Sequence, residues 1–99
     1  MTHYFCKLIP PRPTFAQDIT ADERALMQEH AGYWHQAMQA GRVVVFGPVG
    51  HPDGVFGMGV ITADTPEQAA QFCQQDPVVQ ADVGFRAEFY PMPGAFYRK

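Results

Sequence analysis

Four histidines, two cysteines and no serine at all set the range of side-chain chemistry open to this 99-residue chain. Without Ser there is no serine nucleophile, and the sequence holds no G-x-S-x-G elbow, no phosphate loop and no G-x-G-x-x-G. His30 and His35 are five apart, so they do not share a helix face as an H-x-x-x-H metal pair would. His3 and His51 stand in no ligand pattern, so no metal ligand is nominated and nothing calls for a cofactor. Cys6 and Cys73 lie far apart, outside any C-x-x-C pattern and each among apolar neighbours. They read as buried free thiols rather than as a disulfide or a nucleophile. His30 is the remaining centre of interest. At about 100° per residue, Leu26, Met27, Ala31, Tyr33, Trp34, Ala37 and Met38 fall on one broad stripe, with His30 near its middle and His35 on the polar side. An imidazole left unpaired there costs about 1–3 kcal/mol. It is therefore either a core histidine satisfied by a backbone carbonyl or a general acid/base beside a small apolar pocket. Asp76 is the carboxylate to pair with it, although its place just before Pro77 equally suits a turn former. Asp22, Glu23, Glu67 and Glu88 have ordinary structural places.

The elements that must position these groups follow from pattern and punctuation. His3–Ile9 alternates and is rich in aromatic and β-branched residues, which predicts a strand that Pro10-Pro11-Arg12-Pro13 ends. An extended loop carrying Phe15 is expected up to Ile19. Thr20-Ala21-Asp22-Glu23 is a capping box, so a helix runs from there to about Ala40, with Gly41 as its left-handed terminator. Arg42–Phe46 predicts a second strand entering Gly47-Pro48, and His51-Pro52-Asp53-Gly54 a hairpin turn into a third strand, Val55–Thr62. Gly57 and Gly59 in that strand mark a bulge or the close approach of another backbone. A second helix begins at Asp64-Thr65-Pro66. A short turn at Asp76-Pro77-Val78-Val79 follows, then a fourth strand from Gly84 to Tyr90, closed by Pro91 and Pro93. The order βαββαβ predicts an α+β, ferredoxin-like fold, with an antiparallel sheet and both helices on one face. Left bare, the sheet's other face would be a large apolar patch, and a second copy of the chain is the economical cover.

The length allows one domain, taken as residues 1–99. With 46% hydrophobic and 13% aromatic residues, the chain has the material of a packed core. Net charge is −3 with only seven Lys and Arg and no basic cluster, which speaks against nucleic acid as a partner. No run approaches the ~20 apolar residues of a membrane span. The N-terminus lacks the features of a secretory signal, and a cytoplasmic location is expected.

The run Glu29-His30-Ala31-Gly32-Tyr33-Trp34, then Gly41, Phe46-Gly47-Pro48-Val49 and Asp76-Pro77-Val78, resembles the YciI-like (YCII-related) family over about residues 29–90. The resemblance implies a dimeric α+β barrel, in which two sheets face each other, with a His–Asp pair at the centre of the active site. His30 and Asp76 match that pair, and Gly47 and Pro48 match a Gly-Pro beside it. The proline-rich segment from Pro10 to Ile19 departs from the shortest members, and from it Arg12 and Phe15 could reach over the pocket. Related barrels include isomerases, monooxygenases and lyases of small, often cyclic or aromatic molecules, and fold alone does not choose among them. Three readings stay open. The first is a metal-independent, lyase- or isomerase-like enzyme, with His30 as base, Asp76 orienting it, Tyr33, Trp34, Phe46 and Phe85 shaping the pocket and Arg12 binding an anionic group. The second is a non-catalytic dimer that binds or senses a small ligand, and the third a purely structural dimer.

Overall fold

A computed structural model describes residues 1–98. Strand β1 (Thr2–Ile9) buries Tyr4, Cys6 and Leu8 on one face, as the period of two demands. Beyond the prolines the structure departs from the predicted extended loop and forms one helical turn, α1 (Phe15–Asp18). The amides of Gln17 and Asp18 donate to the Thr14 carbonyl. The Thr14 hydroxyl donates to Asp18 Oδ2 at 2.7 Å, and buried Phe15 meets Phe85 edge-on.

Helix α2 (Ala21–Gln39) starts on the predicted capping box. Thr20 Oγ1 accepts from the Glu23 amide at 3.1 Å, and the Thr20 amide donates to Glu23 Oε1 at 2.9 Å. It ends at Gly41, whose φ of +81° lets Gly41 and Arg42 donate back to the carbonyls of Met38 and Ala37. Strands β2 (Val43–Val49) and β3 (Phe56–Ala63) form the hairpin, with an irregularity in β2 between Val43 and Val45. Helix α3 (Pro66–Gln74) is capped by Thr65. The predicted turn after it is a single helical turn, α4 (Pro77–Gln80), with Asp76 as its N-cap. Strand β4 (Arg86–Met92) runs through Pro91 instead of stopping before it. The sheet order β2-β3-β1-β4 explains this, because β4 is an edge and tolerates a residue without an N–H.

All three strand pairings are antiparallel, and the architecture is the α+β arrangement that the element order predicts. Trp34, Ala37, Ala69, Phe72 and Cys73 from the helices pack on Tyr4, Cys6, Val43, Ile61 and Ala63 from the sheet. A second, smaller cluster joins Leu8, Phe15, Val78 and Phe85. The strand residues that alternate with these, among them Phe5, Phe56, Met58 and Val60, lie on the face without helices and are only partly buried. Val45 and Tyr90, 47% and 52% exposed, belong to the same face.

The two glycines of β3 have a different cause from the predicted backbone approach. A Cβ on Gly59 would lie 2.6 Å from Cη2 of Trp34 and 3.2 Å from its Cε3. The bare strand is therefore the seat of an indole ring. Gly57, two residues earlier on the same face, leaves open the floor of a cavity.

Candidate functional site

The described residues contain one buried charged side chain, Asp76, 4% exposed. A carboxylate in such a place is costly unless its lone pairs are met, and three donors meet them. His30 Nδ1 lies 2.7 Å from Oδ2, the Trp34 indole Nε1–H donates to the same oxygen at 2.8 Å, and the Val78 amide donates to Oδ1 at 3.1 Å. The last contact is the cap of α4, so the turn-former role and the partner role of Asp76 coexist in one side chain. An indole N–H and an amide N–H only donate, so Asp76 is the acceptor. In the neutral ring His30 then carries its proton on Nδ1, and Nε2 holds the free lone pair.

Each member of this triad is placed by a local rule. His30 and Trp34 are four apart on α2 and so share a face, which is why one oxygen can serve both. Gly59 admits the indole, and Phe72 and Phe46 flank it, with ring centroids at 4.9 and 5.6 Å. Thr65 and Pro66 start α3 so that its end delivers Asp76 beneath α2.

Beside the pair lies a cavity of about 230 Å³. Its walls are mostly apolar: Phe15, Met27, Trp34, Phe46, Pro48 and Phe85 contribute, with Gly47 and Gly57, and His30, Asp76 and Lys7 bring the polar groups. A cavity of roughly 150 Å³ holds benzene, so this one has room for a single substituted ring. His35 is exposed and packs edge-on against Phe46.

Two residues proposed from sequence for the pocket lie elsewhere. Arg12 does not reach over the cavity. Its guanidinium makes two bonds of 2.7 Å to the Glu23 carboxylate and one of 2.7 Å to Asp18 Oδ1, so its donors are consumed in tying α1 to the start of α2. That guanidinium, helped by the Thr20 amide, holds the Glu23 carboxyl down at about 2. Tyr33 points away from the cavity as well, and its hydroxyl donates to the Phe72 carbonyl at 2.7 Å. Burial, with the nearby Asp76 charge, pushes its phenol up to about 12, which makes it a brace between α2 and α3. Sequence reasoning missed the cavity faces of Cys6 and Cys73. Their Sγ atoms are 3.7 Å apart, and no local spacing announces a pairing between β1 and α3. It also missed Met27 as a wall residue, although Met27 lies three before His30 and hence on the same helix face.

Among the described residues no three His, Cys, Asp or Glu side chains converge as metal ligands, and no helix is long and apolar enough to cross a membrane.

No curated protein matches the sequence. Among the solved structures that share the architecture are two that this chain covers almost throughout. One is the 5-chloro-2-hydroxyhydroquinone dehydrochlorinase TftG of Burkholderia phenoliruptrix AC1100, in complex with 2,5-dihydroxybenzoquinone. It is 18% identical with a TM-score of 0.57, over 86% of this chain and 90% of that one. The other is the uncharacterized protein TM1266 of Thermotoga maritima, 9% identical with a TM-score of 0.50, over 92% and 95% of the two chains. At these identities the likeness is one of fold. The model of the YCII-related domain matches residues 4–93. Nearly the whole chain, including both His30 and Asp76, lies inside that match, and the protein belongs to the YCII-related family.

Proposed function

We propose that this chain is a small enzyme that moves a proton on a single-ring, oxygen-bearing molecule, with a lyase- or isomerase-like outcome. The observation that carries the reading is the 2.7 Å contact between His30 Nδ1 and a buried Asp76, met by three donors, at the edge of an apolar cavity. Asp76 holds the tautomer and balances the imidazolium that forms when Nε2 takes a proton. Trp34, Phe46 and Phe85 hold the flat face of the substrate, Phe15 covers one side, and Gly47-Pro48 border the entrance. That the structural neighbour TftG is a dehydrochlorinase of a hydroquinone makes substituted hydroquinones the first class to try, with elimination as one outcome of the same proton removal.

The working unit in this proposal is a homodimer joined through the sheet face that carries no helices. Phe5, Phe56, Met58, Val60 and Tyr90 supply that face, and an apolar surface of this kind marks an interaction site. Light scattering on the eluting protein tests it: a stable monomer at micromolar concentration removes the dimer. For the enzyme reading, thermal shift against hydroxylated and halogenated quinols identifies a ligand, and turnover of that ligand by wild type and by His30→Asn decides. Equal binding with turnover lost in the variant supports catalysis. Binding without turnover by either protein leaves a ligand-binding module.

A further inference from the structure

Cys6 comes from β1 and Cys73 from α3, 67 positions apart, yet their sulfurs stand 3.7 Å from each other. Both are free, buried thiols, and both form part of the cavity wall. Proton transfer by His30 uses neither. A disulfide requires its sulfurs about 2.0 Å apart, so these two need to close by roughly 1.7 Å, a shift of the size that side-chain torsions supply. The cavity gives a small oxidant the access that burial otherwise denies.

We infer that Cys6 and Cys73 are a redox pair, which a small peroxide entering the cavity converts to an intramolecular disulfide joining β1 to α3. Two steps balance the reaction. One of the two cysteines, as thiolate, attacks an oxygen of hydrogen peroxide, so an S–O bond forms, the O–O bond breaks, and the departing oxygen leaves as water after taking a proton. The other thiol then loses its proton and attacks the sulfur of that sulfenic acid, so the S–S bond forms, the S–O bond breaks and a second water leaves. The two thiols lose two electrons in all, and the peroxide is reduced by two. The hydrogen bond between the sulfurs eases loss of the first proton from the pair, and burial opposes it. Both sulfurs border the cavity, so either can meet the oxidant first while the other resolves. The bridge ties α3 to the sheet three residues before Asp76.

The test is a peptide map. Folded protein is treated with equimolar hydrogen peroxide, its remaining thiols are alkylated in denaturant, and it is digested with trypsin without reductant. Cleavage after Lys7, Arg42 and Arg86 puts the two cysteines on separate peptides. The expected product is residues 1–7 joined to residues 43–86, about 2 Da lighter than the two together and released by dithiothreitol. It forms faster in the folded protein than in denaturant, and neither Cys6→Ser nor Cys73→Ser forms it. Alkylation of both cysteines after treatment overturns the inference. So does either cysteine driven to sulfinic acid while the other stays free, a bridge between two chains, or equal rates folded and unfolded. If Cys6→Ser does not fold, the wild-type map decides alone.

Discussion

Substituting Ala for Gly59 adds one methyl group at the point where the account is least forgiving. The new Cβ would lie 2.6 Å from Cη2 of Trp34, and closer still to Cζ3, where carbon atoms settle at about 3.5–4.0 Å. Strand β3 cannot retreat, because it is hydrogen-bonded to β1 on one side and β2 on the other, with Cys6 and Phe46 opposite Gly59. The indole must therefore move by about 1 Å or more, and it is held by Phe72, Phe46 and its bond to Asp76. Overpacking of this kind costs about 1–3 kcal/mol, and loss of a hydrogen bond to a charged group about 1.5–3 kcal/mol. Because the two overlap, a loss of roughly 3 kcal/mol is expected, equivalent to a Tm lower by about 12–24 °C in a domain of this size. Denaturant unfolding followed by the fluorescence of Trp34, the single tryptophan, measures both the stability and the indole's surroundings. Gly57→Ala is the control, since its Cβ would meet Leu8 at an ordinary 3.4 Å and should cost under about 1 kcal/mol. A Gly59→Ala protein within about 0.5 kcal/mol of wild type, with an unchanged emission spectrum, would refute the reasoning.

Asp76→Asn should cost about 1–3 kcal/mol in the same unfolding assay, because an amide group would face the N–H donors of Trp34 and His30; no loss would mean that the three-donor coordination is not formed. Tyr33→Phe should cost about 1 kcal/mol, the net worth of its bond to the Phe72 carbonyl, and leave ligand binding unchanged, since the hydroxyl does not face the cavity. Glu23 has its folded-state value lowered from 4.5 to about 2, so its stabilising contribution is fully present above pH 4.5 and is lost as the pH falls toward 2. The Tm difference between wild type and Glu23→Gln should accordingly be widest above pH 4.5 and shrink below it, and a constant difference from pH 7 to pH 2 would contradict the Arg12–Glu23 account.

What the sequence made legible was local. The Thr20–Glu23 box, Gly41 and Thr65-Pro66 each state a helix boundary through one or two hydrogen bonds, and alternation in β1 states which face is buried. His30 was legible because helical periodicity places it among apolar residues; Asp76 was the carboxylate to pair with it, and the family motif matched both. What stayed hidden depends on contacts between distant segments. Arg12 looked free to bind a ligand until α1 brought Asp18 beside it and the capping Glu23 claimed its fork. Tyr33 lies on the apolar stripe, but the stripe is broad enough to cover both the cavity and α3, and only the packing of α3 decides which of them a residue faces. Gly59 was recognised as a place of close approach, and the identity of the approaching group needed the fold.

The central claim is that His30 Nε2 takes a proton from a ring bound in the cavity while Asp76 holds Nδ1. The most direct measurement is single-turnover chemistry on a quinol that thermal shift shows to bind, run with wild type and His30→Asn at saturating ligand. The account predicts unchanged affinity and a rate lower by a factor of about 10²–10⁴ in the variant. Turnover that survives in His30→Asn at the wild-type rate would contradict it.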